Sequence, residues 1–329
     1  MKVINSFLLG MIVVAITSCV STPIRESFQS LVLPGKSMVR LRFQNMLGLE
    51  LYSSGCFILN EGGVERMCRY AQGNPADLVF QIGPSFTSLF SESNTRDEIQ
   101  SQRKALWEIW KIQKVTFYSV DALDLLPSLS DFKEAHSSSS ISLLSSNLKT
   151  KENVYLFKPY IELDFNGKKI GVLSFSENES ASKISDGQVE EILSAFQKVD
   201  KKLNARVVLY YVLGSLKKKS REKISKFSQR PVVFLGGDLS ETNTVGLVSL
   251  TTRDFLVKTP DLGRGFGELA IGHFERDFWG NPYQAYLAGL EHSFRAFILK
   301  EPISQLNDCS EVLKTTKPQS LRTEALKSD

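Results

Sequence analysis

Apolar positions along the chain alternate between the spacing of β-strands and that of α-helices. Met38–Gln44 alternates between apolar and polar residues as a strand does, and Asp77–Ile82 is a short, nearly continuous apolar run typical of a buried strand. Gly62–Gln72 and Asp97–Gln113 instead carry their apolar residues at helical spacing. Because strands that cross over through helices run parallel, this order predicts a sheet with parallel pairing and helices on its outer faces.

The second half of the chain continues this alternation and adds a hairpin. Asn166-Gly167 lies between two β-like runs, which is a strong hairpin signal. The clearest helix is predicted over Asp186–Leu203, where Ser185 and Gln188 resemble a capping box. The other predicted elements are the helix Lys217–Phe227 and the strands Val115–Val120, Ile161–Asp164, Lys168–Phe175, Arg206–Tyr211, Pro231–Leu235, Val245–Leu250, Phe255–Lys258, Gly267–Gly272 and Phe294–Leu299.

Length alone allows one large domain or two small ones, and the order of the predicted elements favours one large α/β domain. The 329 residues are 42% hydrophobic and 23% charged, so the chain can bury a sizeable core. A formal net charge of +4 is too small for a dedicated nucleic-acid-binding protein, and we expect no nucleic acid as a partner. Four Cys exclude a disulfide-rich scaffold, and three His restrict any metal site built from imidazoles.

The N-terminus has the layout of an export signal. Lys2 supplies the positive end, Phe7–Ile16 is apolar, and Thr17 and Ser18 are small. About ten apolar residues are too few to span the roughly 30 Å hydrocarbon core of a bilayer. Ile16-Thr17-Ser18-Cys19 resembles the bacterial lipobox, which implies cleavage before Cys19 and acylation of that residue. Several acyl chains give stable membrane attachment. Simple secretion is the alternative.

These features predict four segments. They are a lipoprotein signal peptide over residues 1–18, a tether over 19–37, a folded domain over 38–300 and a polar C-terminal tail over 301–329. The expected partners are the membrane, through lipidated Cys19, and an unidentified protein of the cell envelope. Val20 and Ser21, without an Asp after the Cys, favour the outer membrane over the inner by resemblance to enterobacterial sorting rules. The domain would then face the periplasm or the cell surface.

Several motifs resemble the metallophosphoesterase superfamily, in the branch of bacterial 5′-nucleotidase catalytic domains. Gly62-Gly63-Val64-Glu65-Arg66 resembles the double glycine that enters the family's first helix. Leu143–Val172 resembles the segment in which a strand ends at an Asn and a hairpin follows with Pro-Tyr and Asn-Gly-x-Lys-x-Gly. Gly236-Gly237 and Leu262-Gly263-Arg264-Gly265 resemble the later ligand loop and the Gly-rich strand after it. The resemblance implies a four-layer α/β/β/α sandwich of mixed sheets.

The same resemblance implies two metal ions that activate water for phosphoester hydrolysis, but this sequence departs from the motifs that hold them. At the matching positions this sequence has apolar or amide residues, or no ligand at all. Asn45-Met46-Leu47-Gly48 stands where the family has Asp-x-His-Gly, and Pro84 stands where it has the bridging Asp. Val120–Asp124 stands in place of Asn-His, Val212 in place of the lone His, and Gly237-Asp238-Leu239-Ser240 in place of Gly-His-x-His. Burying a cation requires polar partners that such residues do not offer. We therefore expect that the dinuclear site is lost and that no cofactor is bound.

Some oxygen-bearing residues remain at these positions, and two interpretations of them are open. Asn45, Asp121, Asp124, Asp238 and Ser240 could hold one divalent cation, Mg²⁺, Mn²⁺ or Ca²⁺, with Asn45, Asp124 and Asp238 as residual catalytic candidates. Alternatively, they are turn and cap residues, which Asp, Asn and Ser favour. The first interpretation predicts a phosphoester or nucleotide hydrolase with a rearranged site. The second predicts a non-catalytic binding or structural module.

Two further features leave alternatives open. Cys56 and Cys68 could form a disulfide outside the cytoplasm, or Cys68 could be a core thiol, and Cys309 adds a third thiol that cannot pair if the other two do. The basic residues of the predicted helix Lys217–Phe227 form either a solvated face or a surface that contacts anionic lipid headgroups.

Overall fold

The computed structural model describes residues 30–33, 36–45, 63–86, 95–177, 187–236, 246–260, 265–273, 283–299 and 308–316. The helices are α1 (Val64–Gly73), α2 (Arg96–Ile112), α3 (Leu129–His136), α4 (Ile192–Leu203), α5 (Lys218–Phe227) and α6 (Asp308–Thr316). The strands are β1 (Ser30–Val32), β2 (Met38–Asn45), β3 (Leu78–Ile82), β4 (Phe117–Ser119), β5 (Ser142–Leu144), β6 (Leu148–Lys149), β7 (Tyr160–Phe165), β8 (Lys168–Ser174), β9 (Gln188–Val189), β10 (Val207–Leu213), β11 (Val232–Gly236), β12 (Gly246–Ser249), β13 (Phe255–Lys258), β14 (Gly265–Gly272), β15 (Tyr283–Leu287) and β16 (Leu290–Ile298).

Two mixed seven-stranded sheets form the centre of the molecule. The first has the order β1-β7-β8-β10-β11-β13-β12, and the second has the order β15-β16-β14-β2-β3-β4-β5. Strands β8, β10, β11 and β13 run parallel in the first sheet, as do β2, β3, β4 and β5 in the second. The antiparallel strands β14, β15 and β16 lie on one side of the second sheet, and β7 and β12 flank the parallel strands of the first.

Three apolar clusters show that these sheets form the middle layers of a four-layer sandwich. One cluster joins the facing sides of the two sheets, for example Phe43 with Leu209. A second lies between α4, α5 and the first sheet, and a third lies between α1, α2, α3, α6 and the second sheet. Because each sheet buries one face against the other sheet and its second face under helices, strands such as β10 and β11 are continuous apolar runs. The predicted α/β/β/α arrangement is confirmed.

The hairpin prediction is correct, and one helix start is wrong. Asn166 and Gly167 have φ of 52° and 79°, the left-handed geometry that a two-residue hairpin turn needs. The helix predicted over Asp186–Leu203 begins only at Ile192, where the Glu191 side chain accepts the backbone N–H of Ser194 at 2.7 Å. Gln188 is not part of a capping box, because it pairs with Lys149 in a short antiparallel ladder.

Both ends of the predicted domain extend further than the sequence indicated. Ser30–Val32, within the predicted tether, pairs with β7 as an edge strand. Within the predicted polar tail, α6 packs on the domain, and its Cys309 forms a disulfide with Cys68 of α1. The possible Cys56–Cys68 pair is therefore replaced by Cys68–Cys309, and Cys56 lies outside the described residues. In the part of the chain that the structure describes, the helices all fall short of the length and apolar character required to cross a bilayer.

Candidate functional site

The carboxyl ends of the parallel strands of the two sheets meet at one edge of the sandwich. Asn45, Ile82, Ser119 and Leu144 stand side by side in the ladder of the second sheet. Ser174 stands beside Leu213 in the first sheet. The hydroxyl oxygens of Ser119 and Ser174 lie 2.6 Å apart, so a hydrogen bond joins the two sheets there. Ligands of α/β proteins bind at such an edge, and the described residues of the predicted site, Asn45, Asp121 and Asp124, flank it.

Asp124 is fully buried, and its carboxylate holds the backbone of two neighbouring loops. One oxygen accepts the N–H of Ser85 at 2.7 Å and that of Phe86 at 3.3 Å, and the other accepts the N–H of Asp121 at 2.9 Å. A Cβ added to Gly83 would lie 2.4 Å from this carboxylate, so glycine is required where the loop after β3 passes it. Burial, and next the neighbouring Asp121 charge, raise the pKa of Asp124 to about 7.

Asp121 caps the short 3₁₀ helix Ala122–Leu125 that follows β4. Its Oδ1 accepts the N–H of Leu123 at 2.9 Å, and its Oδ2 accepts the hydroxyl of Ser176 at 2.7 Å. The same Ser176 oxygen accepts the N–H of Ala122 at 3.0 Å. Burial raises the pKa of Asp121 above its ordinary value. Asp121 and Asp124 are thus the two caps of one turn, as the turn-and-cap interpretation predicted.

Asn147 connects the loops that follow β5 and β8. Its Nδ2 donates to the carbonyl oxygens of Ser176 at 2.7 Å and Glu190 at 3.1 Å, and its Oδ1 accepts the N–H of Ser176 at 2.9 Å. This is the Asn at which the family-like strand was predicted to end. These three hydrogen bonds all go to backbone atoms, so the side chain fixes the loops rather than facing a ligand.

Two positions that match metal ligands of the family carry residues without ligand atoms. Pro84 follows Gly83 through a cis peptide bond directly after β3. Val212 on β10 is 0% exposed and belongs to the apolar cluster under α4 and α5. Together with the engaged carboxylates of Asp121 and Asp124, these described positions do not fit a pair of hard cations, which need several oxygen or imidazole ligands free to converge.

The structure brings only part of the predicted site together. Asn45 is buried at the end of β2, in the same register as Ser119 of β4 two strands away. Among the described residues, three or more His, Cys, Asp or Glu side chains do not converge in a group that could hold a metal ion. Predicted residues that lie outside the described ranges are Cys19, Met46, Leu47, Gly48, Cys56, Gly237, Asp238, Leu239 and Ser240.

The serine hydroxyls at this edge were missed by sequence reasoning. Ser119, Ser146, Ser174 and Ser176 are buried there, and Ser146 Oγ accepts the N–H of Ser174 at 3.0 Å. They come from three separate segments, at the ends of β4, β5 and β8 or just after them, and lie in no common motif, so no sequence signal connects them. Ser145 is also buried, and its hydroxyl has no hydrogen-bond partner among the residues that the structure describes.

His292 has a structural role away from this edge. It is fully buried between the sheets, where its Nε2 lies 2.9 Å from the Tyr211 hydroxyl and its Nδ1 lies 2.9 Å from the Leu290 carbonyl oxygen. Burial lowers its pKa to about 4, which keeps the ring neutral. Such a paired core histidine has no ring nitrogen left for a ligand.

Several solved structures share this architecture. The 5′-nucleotidase precursor from Thermus thermophilus aligns with a TM-score of 0.61 and 14% identity over 88% of this chain and 59% of that one. The calcineurin-like phosphoesterase YfkN from Bacillus subtilis aligns with a TM-score of 0.60 and 12% identity over 88% of this chain and 99% of that one. The NAD nucleotidase NadN from Haemophilus influenzae aligns with a TM-score of 0.56 and 14% identity over 71% of this chain and 47% of that one.

These likenesses are structural, since no family model matches the sequence and no curated protein sequence is similar to it. The chain spans less than two thirds of the length of the two nucleotidases just named. At 12–14% identity the comparison concerns the fold, and the site has to be judged from its own residues. The chain therefore has the calcineurin-like phosphoesterase fold, in the form found in bacterial 5′-nucleotidases.

Proposed function

We propose that this chain is a lipid-anchored protein of the bacterial cell envelope whose phosphoesterase-like domain is a non-catalytic binding or structural module. The observation that carries the proposal is the engagement of Asp121 and Asp124. Asp124 is buried, Asp121 is half-buried, and both carboxylates accept hydrogen bonds from backbone N–H groups at the edge where the family's metal ligands are expected. A carboxylate committed to its own loops contributes to stability rather than to a cation.

The residues at the matching positions support the same conclusion. Pro84 has no side-chain donor atom where the resemblance implies a carboxylate bridging two metals, and the Val212 side chain packs with apolar neighbours. Removing these ligands removes the means to polarise a phosphate and to generate hydroxide at neutral pH. The fold then persists as a scaffold, because its stability comes from the three apolar clusters.

Hydrolysis assays test the loss of catalysis. The purified full chain is expected to hydrolyse neither p-nitrophenyl phosphate nor 5′-nucleotides above the protein-free rate in Mn²⁺, Mg²⁺, Ca²⁺ or Zn²⁺. Asp124→Ala is expected to lower the free energy of unfolding by about 3 kcal/mol, because the buried N–H groups of Ser85 and Asp121 lose their acceptor. Turnover is measured by released phosphate, and stability by urea titration.

Asp131→Ala is the matched control for that assay. Asp131 is also buried, but it lies in the first turn of α3, where its carboxylate accepts a hydrogen bond from Arg96. Robust metal-dependent turnover that Asp124→Ala abolishes and Asp131→Ala preserves would contradict the proposal. It would favour a hydrolase with a rearranged site built from Asn45, Asp124 and Asp238, and two bound metals per chain by elemental analysis would do the same.

Lipid anchoring rests on the motif at Cys19 and is tested independently. Cys19→Ser is expected to abolish incorporation of labelled palmitate and to move the protein from the detergent phase to the aqueous phase, because the acyl chains supply the membrane affinity. Cys56→Ser is the control and should retain both properties. Detergent partitioning that survives Cys19→Ser would show that something other than this cysteine attaches the chain.

A further inference from the structure

A cavity of about 310 Å³ lies between α5 and the turn that joins β12 to β13, on the outer side of the first sheet. Its helix wall carries Lys218, Arg221 and Lys226 with a single carboxylate, Glu222, which gives the lining a net charge of +2. The opposite wall includes Leu250, one of the exposed large apolar side chains of the molecule. The cavity is therefore cationic on one side and apolar on the other.

Hydrogen bonds hold the two walls in place. Arg253, in the turn, donates through Nη2 to the carbonyl oxygens of Ser225 at 3.2 Å and Ser228 at 2.6 Å in and just after α5. Asp254 accepts the N–H of Val232 at 2.9 Å and the hydroxyl of Thr251 at 3.0 Å. The turn is thus fixed both to the helix and to β11, so the cavity is preformed, as ligand sites usually are.

Ser225 adds a buried hydroxyl group to the helix wall of the cavity. The side chain lines the cavity and is only 8% exposed, and its hydroxyl has no hydrogen-bond partner among the described residues. A buried hydroxyl without a hydrogen-bond partner lowers the stability of the folded state, so such a group in a native structure needs an explanation. An oxygen atom of a ligand in the cavity would accept this hydrogen bond.

The cations on the same wall are placed for a group with several anionic oxygens. Lys218 and Lys226 lie eight residues apart on one face of α5, about 12 Å along the helix axis, with Ser225 and Arg221 between them. Within the described part of the chain, neither lysine lies in an ion pair with a carboxylate. Glu222 on the same wall opposes an anion, but it is outnumbered by the three cations.

We propose that this cavity binds the phosphate group of a phosphorylated compound, with Lys218, Lys226 and the Ser225 hydroxyl contacting the phosphate oxygens and the adjoining carbon chain lying against Leu250. Tetrahedral oxyanions accept charge-assisted hydrogen bonds from ammonium groups and hydroxyls at once, which matches this wall. The site is distinct from the edge at Ser119 and Ser174, and it does not depend on whether that edge retains catalysis.

Binding is tested with the purified full chain in nonionic detergent by calorimetry and by ¹⁵N-resolved NMR. The probes are inorganic phosphate, glycerol 3-phosphate and dihexanoyl phosphatidic acid, and dihexanoyl phosphatidylcholine is the zwitterionic comparison. The perturbed amides are expected within 218–226 and 249–251. Lys218→Gln and Lys226→Gln should each weaken binding about tenfold, Ser225→Ala should weaken it about fivefold, and Glu222→Gln should strengthen it. Raising the salt concentration should weaken it further.

Lys219→Gln is the matched control, because it removes the same charge from the same helix at an exposed position outside the cavity lining. Binding of all three phosphate probes supports the proposal with free phosphate esters as the source. Binding of dihexanoyl phosphatidic acid alone supports it with a lipid headgroup as the source. The proposal is overturned if none of the probes binds at 10 mM (about 3 kcal/mol of binding free energy), or if Lys219→Gln weakens binding as much as Lys218→Gln does.

Discussion

Replacement of Cys309 by Ser is expected to lower the free energy of unfolding by about 4 kcal/mol. The disulfide joins Cys68 of α1 to Cys309 of α6 across 241 residues of sequence, so it restricts the unfolded chain over most of its length. It also holds α6 in the apolar cluster with α1 and α2, where both cysteines are fully buried. Without it, α6 keeps its apolar packing and the hydrogen bond from Gln72 to Asp308, but it should open more often and become more accessible to proteolysis.

The measurement is guanidinium unfolding under non-reducing conditions, with peptide mapping of the disulfide. Cys68→Ser, Cys309→Ser and the double variant should lose about the same stability, since each removes the same bond. Cys56→Ser is the control and should change stability by less than about 0.5 kcal/mol. A large loss with Cys56→Ser together with little loss with Cys309→Ser would contradict the prediction, because it would make Cys56 the partner of Cys68.

The docking of α6 could not be predicted because its signals are both sparse and distant. Cys309, Val312 and Leu313 have helical spacing, but they are the apolar minority of a nine-residue segment in a polar tail. Composition therefore predicted an unstructured end. What fixes the segment is a bond to Cys68, and the pairing of cysteines is not encoded in their spacing.

Local signals were reliable where the structure they specify is also local. Asn166-Gly167 dictates its own turn, and the hairpin is present. The predicted start of α4 is too early, because Gln188 and Val189 pair as a strand with Lys149 and Leu148, about forty residues earlier in the chain. The helix can therefore begin only after this strand, at Ile192. Tertiary pairing of this kind overrides a capping pattern.

In the candidate site, too, the local contacts could be predicted from the sequence and the long-range contacts could not. Asp121 and Asp124 are three residues apart and cap the turn between them, which agrees with the turn-and-cap interpretation of these residue types. The link between Ser119 and Ser174 joins two sheets, and neither residue belongs to a pattern. Family resemblance indicated at which positions a ligand side chain was expected, but only the structure identified the backbone groups to which the carboxylates of Asp121 and Asp124 are bonded.

The polar face of the second sheet likewise proved to be buried. Alternation predicted β2 correctly, but Arg42 on its polar face lies under α1, stacked against the rings of Tyr70 and Phe266. Across the ladder Arg42 stands opposite Glu268, and Glu268 stands opposite Arg295. Periodicity identifies the two faces of a strand, and it cannot indicate which element covers a face.

Glu268→Gln is expected to cost about 4 kcal/mol of stability. Glu268 is 1% exposed and accepts hydrogen bonds from Arg42 Nε at 2.9 Å and Arg295 Nε at 2.9 Å. Removing its charge leaves the buried Arg42 guanidinium without a counter-ion, and an unpaired buried charge is far costlier than a lost surface pair. Urea titration at pH 7 measures the loss.

Glu162→Gln is the matched control for this prediction. Glu162 is 4% exposed, but its partners Lys169 and Arg206 have side chains that are 36% and 41% exposed, so water can replace the lost charge and the cost should stay below about 1 kcal/mol. Equal losses for the two variants would contradict the argument, because they would show that burial of the partner cation does not matter.

The pH dependence gives the Glu268 prediction a second, independent test. Burial alone would raise the pKa of Glu268, but Arg42 and Arg295 outweigh it and hold this pKa below its ordinary value of 4.5. The unfolded chain therefore binds a proton at a higher pH than the folded one. The stabilisation is complete above the unfolded pKa and is lost as pH falls through the folded pKa. Wild type should thus lose its advantage over Glu268→Gln on acidification below about pH 4. An advantage unchanged down to pH 3 would place the stabilisation in packing rather than in charge.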